Sequence, residues 1–419
     1  MRPAEPRAGG GTGLSSAATG QGAGQGSNSV VVRQFNERVI LAALRRMGEA
    51  SKADLARRVK LTQNAAGQIV RDLERQELVR TTGKRAGLRG QPATLIGLDP
   101  RGAYSIGVKV GRRTVDGLLV DFAGQVVEQR RHERAFPMPE EALRLVLDDV
   151  AALRRVIPPA GRARLVGVGL AMPYNMGSWR RELGIPAEAC EAWNDFDAAT
   201  RLRERLDVPV FVENDGTAAA VAELFGGHGR DLDDFAMIYV GTATGGGVVL
   251  GGTHRRGAAG NAGDIGLMPV APSRLASAPR PERGMDILLN RASVGALIRH
   301  LRHGGLDVST IAELEAALPH HPAPVQEWLE DCADALVYPV LSIAGVLDPQ
   351  AVVIAGNLPR HLVEWLVARL RDLLAAAAPE ARRPPALRVG TVGRNAAAIG
   401  AAILPLHSNF GPDQEMLFG

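Results

Sequence analysis

Apolar positions along this chain follow two different rhythms, and the change from one to the other divides it. From Glu37 to Met47, Ile40, Ala43, Leu44 and Met47 recur at helical spacing and predict one buried face. Ser51-Lys52-Ala53-Asp54 then has the form of a capping box, opening a second helix that carries Leu55 and Ala56 and ends near Val59. After a short turn, Thr62 is placed to cap a third helix running to about Glu77. Its inward face is Ala66, Ile69, Val70 and Leu73; its other face shows Gln63, Asn64, Gly67, Gln68 and Arg71. Two short helices, a tight turn and a polar-faced helix make a helix-turn-helix. Leu78 to Leu98 reads as strand, basic loop, strand, the addition that makes such a module winged.

From Ala103 onward the rhythm alternates. Short β-rich runs (SIGVKV, GLLVDF, LVGVGLAM, VPVFVEN, FAMIYVG, GGGVVLGG, AVVIAGN) are separated by helical stretches at Pro139–Val156, Phe196–Leu206 and Thr217–Phe225. Two longer helical stretches follow, at Asp286–Leu301 and Ala323–Val346, after an irregular Pro-rich loop at Pro269–Arg283. This predicts an α/β body with mixed sheets. Residues 1–28, rich in Gly, Ser, Ala and Gln, carry too little apolar surface to offset ordering and are expected to be a disordered tail. Residues 29–98 are the expected DNA-binding domain and 99–419 the body.

Charge sharpens this division. Between Ser29 and Asp99 fourteen Lys and Arg stand against seven acids, a net +7, leaving −3 for the rest of a chain whose total is +4. A basic head on a mildly acidic body suits a polyanion partner for the head alone. With 46% hydrophobic and 22% charged residues the composition is that of a soluble globular protein, and no apolar run reaches membrane-spanning length. The first residues lack the apolar core of a secretory signal, and there are only two cysteines, Cys190 and Cys332. A disulfide framework and a cysteine-based zinc site are excluded, and a cytoplasmic setting is expected.

The motifs, in order, resemble one family. They are SKADLARRVKLTQNAAGQIVRDLE, RGQP, SIGVKVGRRTVDGLLVD, VENDGTAAAVAE, YVGTATGGGVVLGG, GNAGDIG and LDPQAVVIAGNLP. From about Asn36 to Leu406 the chain resembles the regulator branch of the ROK family (repressors, open reading frames and kinases). The resemblance implies a winged helix-turn-helix followed by a two-lobed actin- and hexokinase-like domain. Lobe one is expected at about 99–213 plus 392–410, and lobe two at about 214–391. It also implies a ligand cleft between the lobes, a sugar or sugar derivative as effector, operator DNA as partner, and a homodimer or homotetramer.

Residue by residue, Gln63, Asn64 and Gln68 offer paired donors and acceptors for base edges, and Arg71, Lys84, Arg85 and Arg89 suit phosphate or minor-groove contacts. Kinases of the family open the domain with Asp-x-Gly-Gly-Thr. Here Lys109 stands at the Asp position, and Arg112 and Arg113 replace Gly and Thr, so the nucleotide approach is obstructed and no phosphoryl transfer is expected. The second glycine turn, Gly241 to Gly247, matches the family pattern, although a tight turn between strands needs no nucleotide to explain it.

Asn214 and Asp215 match the family's sugar-contacting pair, with a helix cap as the other reading of Asp215. Asp264 keeps the carboxylate of the family's Glu-x-Gly-His motif, while Leu267 replaces its His and cannot ligate metal. Trp193 lies where relatives bring a Trp-bearing loop to the cleft, a buried core Trp being the commoner use of such a residue. Pro173 belongs to the preceding cleft loop on the same analogy. No catalytic residue, metal or cofactor is expected. The rival readings are a ROK-type sugar kinase carrying a DNA-binding domain, and a DNA-binding protein whose body only oligomerises.

Overall fold

The computed structural model describes residues 25–85, 93–134, 136–178, 180, 185–281, 284–377 and 383–412. The chain builds a winged helical head, then two lobes of the same design. Most of the span read as a tail lies outside the described residues. The first helix, α1 (Gln25–Met47), begins four residues inside that span and twelve before Glu37. Its buried side chains are Ile40, Leu41, Ala43 and Leu44; Met47, expected inside, is 40% exposed.

Strand β1 (Glu49–Ser51) leads into α2 (Lys52–Arg58), where the capping box forms as its local chemistry dictates: Ser51 Oγ accepts from the Asp54 amide at 3.2 Å and Asp54 accepts from the Ser51 amide at 3.3 Å. Thr62 caps α3 (Gln63–Arg75) through the Ala65 amide. Ala66, Ile69, Val70 and Leu73 are buried as the period predicts. Strands β2 (Val79–Arg85) and β3 (Ala93–Leu98) complete a three-stranded wing sheet in the order β1-β3-β2.

In lobe one, β4 (Tyr104–Val110), β5 (Thr114–Asp121) and β6 (Val126–Glu133) run antiparallel, and β7 (Leu165–Met172) and β8 (Val210–Asn214) add parallel strands, giving the order β6-β5-β4-β7-β8. Lobe two repeats the plan. Its strands are β9 (Phe235–Val240), β10 (Thr244–Leu250), β11 (Thr253–Arg255), β14 (Ala351–Gly356) and β15 (Leu387–Val389), in the order β11-β10-β9-β14-β15, and a two-residue pair, β12 (Pro269–Val270) and β13 (Asp286–Ile287), stands apart. Every residue of β9 and β14 is buried, as expected of central strands covered on both faces; edge strand β6 carries the charged sequence VVEQRRHE and is almost wholly exposed.

The helices are α4 (Pro139–Val156), α5 (Ala187–Asn194), α6 (Ala198–Arg203), α7 (Asp215–Gly226), α8 (Val294–His303), α9 (Ile311–Ala317), α10 (Pro322–Leu347), α11 (Arg360–Ala377) and α12 (Ala396–Phe410). Helix α12 organises the body. Its alanine-rich face lies against β4, β7 and α7, and at Gly400 any side chain would collide with the Ala218 backbone. Ala398, Ala402 and Leu406 on the same helix share one buried cluster with Ile40, Leu41 and Leu44 of α1 and with Leu118, Val120 and Phe122 at β5 and its end. Head and body therefore have a common core. Phe410 meets Phe122 edge-on at 4.8 Å, and Arg45 lies over the Phe122 ring.

Candidate functional site

In an open α/β sheet, ligand-facing residues gather where parallel strands end. Here β7 ends at Met172, followed by Pro173, and β8 ends at Asn214, followed by Asp215. Those ends, the β4–β5 turn, the β9–β10 turn and the loop at 261–267 enclose a cleft of about 350 Å³, large enough for one small ligand. Pro173, Asn214, Asp215 and Asp264 all line it, as do Lys109, Arg112 and Leu267.

The two acids are held differently. Asn214, not Asp215, caps α7: its Oδ1 accepts from the amides of Gly216 (2.8 Å) and Thr217 (3.3 Å). Asp215 is left as the first residue of the helix, its carboxylate without a hydrogen-bonding side chain among the described residues. The Asn214 amide continues a polar chain, donating to Asn261 Oδ1 at 3.3 Å, and Asn261 donates to Asp264 at 2.9 Å. Burial pushes the Asp264 carboxyl above its ordinary range, opposed by that hydrogen bond.

The glycine turn has a structural job. A side chain at Gly246 would strike the Met237 carbonyl and Ile265. Gly263 (φ +86°) brings its own backbone against Gly247, so the glycines let β10, the start of α7 and the 261–267 loop touch. Gly245 alone is open towards the cleft.

Lining the same cleft, the β4–β5 turn carries Arg112, only 8% exposed, whose Nη2 donates to the Asn175 carbonyl (2.9 Å) and the Ser178 hydroxyl (3.1 Å). Burial pulls its guanidinium below its ordinary range, and the charge of Asp215 works the other way. Arg113 turns aside to the Ser309 carbonyl. At the cleft wall Tyr239 donates to Asn357 Oδ1 at 2.7 Å, and burial pushes its hydroxyl far up.

Trp193 does not reach the cleft. It is 5% exposed, donates from Nε1 to the Pro137 carbonyl at 2.8 Å and packs edge-on against Phe196, because α5 turns its apolar side into the lobe-one core. Sequence reasoning in turn missed Asn175, Ser178, Tyr239, Asn261 and Asn357. Of these, Tyr239, Asn261 and Asn357 stand inside the motifs YVGTATGGGVVLGG, GNAGDIG and LDPQAVVIAGNLP, whereas Asn175 and Ser178 carried no local signal.

In the head, Gln63, Asn64, Gln68 and Arg71 are all exposed on α3. Gln68 is partly engaged, accepting from Arg71 (2.7 Å) and donating to Asp72 (3.2 Å). Asp72 is buried beneath this face. Burial pushes its carboxyl up, but Arg75 and Arg33 more than reverse this and leave it below the usual range. Lys84 and Arg85 sit on strand β2 rather than in the wing loop, and Arg85 pairs with Asp54. Arg89 lies outside the described residues. Among those described, no group of His, Cys, Asp and Glu converges as a metal site, and no helix is long and apolar enough to cross a membrane.

The family profile described as ROK family matches residues 105–407. An uncharacterized protein, y4fQ of Sinorhizobium fredii, is 28% identical over 380 residues, covering 90% of this chain and 92% of that one. The xylose repressor of Bacillus subtilis is 24% identical over 58% of this chain and 62% of its own length, so the match leaves more than a third of that protein uncovered. The DNA-binding transcriptional dual regulator NagC of Escherichia coli is 24% identical over 80% and 84%. Among solved structures, a ROK family transcriptional regulator homologous to the Escherichia coli MLC protein superposes with a TM-score of 0.63 at 19% identity, covering 93% of this chain and all of that one. A ROK family glucokinase from Streptomyces griseus, solved with glucose and AMPPNP, gives 0.57 at 22% identity over 72% and 99%. At such identities these two structures speak for the fold.

Proposed function

This chain belongs to the ROK family, and on that premise we propose that it is a sequence-specific DNA-binding regulator, acting as a repressor, whose interlobe cleft takes a sugar or sugar-derived effector. The repressor and regulator relatives support the reading, and the architecture supplies a means.

The observation that carries it is the shared core. Helix α12 contacts both the DNA-facing head and α7, the helix that starts at Asp215 in the cleft. A ligand that draws the lobes together displaces α7 against α12, and α12 is packed directly on α1. Differential binding of ligand to open and closed lobes then becomes differential placement of two winged helices on operator DNA in a dimer or tetramer.

The head reads bases through Gln63 and Asn64, with Gln68 as a partly engaged neighbour, and holds phosphates through Arg71, Lys84, Arg85 and Arg89. Sugar hydroxyls meet Asn214, Asp215 and Asp264. Lys109 and Arg112, standing where the family's kinases place an Asp and a Gly, support a binding role without phosphoryl transfer.

One observation favours a second reading, a sugar kinase carrying a DNA-binding head: Asp215 faces the cleft without a hydrogen-bonding side chain, as a general base requires, and a glucokinase of Halalkalibacterium halodurans is 26% identical over 72% of the chain. ADP release measured over a sugar panel separates the two. Turnover abolished by Asp215→Asn establishes the kinase. Absence of turnover, together with a sugar that shifts DNA affinity, establishes the regulator.

A further inference from the structure

Cations outnumber acids around the β4–β5 turn. Beside the cleft lies a small side cavity lined by Lys109, Arg112, Arg113, Arg131 and Arg394 with a single acid, Asp116. Three of these cations have partners: Arg113 at the Ser309 carbonyl, Arg394 at Glu315, and Arg131 within 3.7 Å of Asp116, the cavity's own acid, and 3.9 Å of Glu133. Lys109 and Arg112, which line both the side cavity and the main cleft, make no ion pair among the described residues. Arg112 spends its Nη2 on two neutral acceptors, and its Nε is buried without a partner. A buried guanidinium left in this state is costly unless an anion completes it.

Asp215 and Asp264 also line the main cleft, and although the charge of Asp215 acts on Arg112, neither carboxylate pairs with Arg112 or Lys109. We infer that the effector is an acidic carbohydrate, whose carboxylate or phosphate group is held between Lys109 Nζ and Arg112 Nε while its hydroxyls face Asn214, Asp215 and Asp264. The inference rests on the proposed effector role of the cleft and narrows its ligand class. A planar guanidinium suits either oxyanion, and a lysine adds a point charge to both.

The test is calorimetric titration of the full-length protein with a panel of sugar acids (gluconate, glucuronate and their stereoisomers) and sugar monophosphates, each beside its neutral parent, and with inorganic phosphate alone. The expected result is a member of one acidic class that binds at least about tenfold tighter than its neutral parent, with Lys109→Gln lowering the acidic ligand's affinity by a larger factor than the parent's and so narrowing that advantage. Which class responds identifies carboxylate or phosphate, and competition by inorganic phosphate marks the latter. Lys109 is only half-buried, so its variant folds; Arg112→Lys, which keeps charge but loses the fork, is the second variant and is expected to weaken acidic ligands selectively. Neutral sugars binding as well as acidic ones, or Lys109→Gln without effect on an acidic ligand, overturns the inference and leaves the effector reading standing. No binding by any acidic or neutral sugar overturns both.

Discussion

Arg46, at the end of the first helix of the head, donates from Nη2 to Asp233 Oδ1 at 2.7 Å, tying the winged module to lobe two. Other contacts of the head go to lobe one and α12: Arg38 reaches the carbonyls of Ser408 and Gly411, and Glu77 pairs with Arg164. The head therefore touches both sides of any lobe movement. Asp233 is more than half exposed, so the pair adds little stability, below about 1 kcal/mol.

Arg46→Glu is accordingly expected to leave the melting temperature nearly unchanged while altering how far ligand shifts DNA affinity, and Arg46→Glu with Asp233→Arg is expected to restore the wild-type response. Anisotropy titration of labelled operator with and without ligand checks this. An unchanged response in the single variant would show that coupling passes through the α12 core alone.

On α3, Asn64→Ala and Gln63→Ala are each expected to weaken specific DNA binding by about 1–3 kcal/mol without a change in thermal stability, because both side chains are exposed. Arg71→Ala should weaken binding across sequences and lower the salt dependence by about one counterion. Gln68→Ala is expected to cost less, since its amide is already shared with Arg71 and Asp72. Titrations at several salt concentrations, on specific and scrambled DNA, separate these effects.

Asp54 joins three contacts: the Ser51 cap, Arg57 and Arg85 of the wing. The Ser51 hydrogen bond foremost, with Arg85 also acting, lowers its pKa to about 2 from an ordinary 3.8. A depressed carboxylate contributes stability that is complete above its unfolded pKa and is lost as pH falls through the folded one. That contribution is thus intact at pH 5 and declines between about pH 4 and 2. Asp54→Asn is expected to cost about 1 kcal/mol at neutral pH and to flatten the acid limb of the stability curve. A wild-type limb in the variant, followed by circular dichroism, would count against this role.

Trp193→Ala is expected to destabilise lobe one by about 3–5 kcal/mol, as removal of a core Trp does, while the folded fraction keeps its ligand affinity. A selective loss of ligand binding at unchanged melting temperature would return Trp193 to the cleft.

What could be read from the sequence was what is decided locally. The Ser51 and Thr62 caps, the limits of Pro139–Val156 and the inward face of α3 follow from residues within a few positions of each other. The long helix expected at Ala323–Val346 came within one residue at each end. The start of α1 was hidden because Gly26, Ser27 and Asn28 have low intrinsic helix propensity. Asn214, Asp215 and Asp264 were legible through motifs, whereas Asn175 and Ser178 meet Arg112 only because the β7 end and the β4–β5 turn converge in three dimensions. The common core of Leu44, Phe122 and Ala402 was equally invisible, since it joins segments some 80 and 280 positions apart whose apolar residues each fit an ordinary local core. Trp193 shows the converse: position in a family pattern does not fix the direction of a side chain.

The most direct test of the account is the DNA affinity of the full-length protein, measured by anisotropy on an operator selected from genomic fragments, with and without a saturating carbohydrate ligand found by thermal shift. A change of about 5- to 150-fold is expected, lost in Asp215→Ala. A ligand that saturates the cleft and leaves DNA affinity unchanged would contradict it.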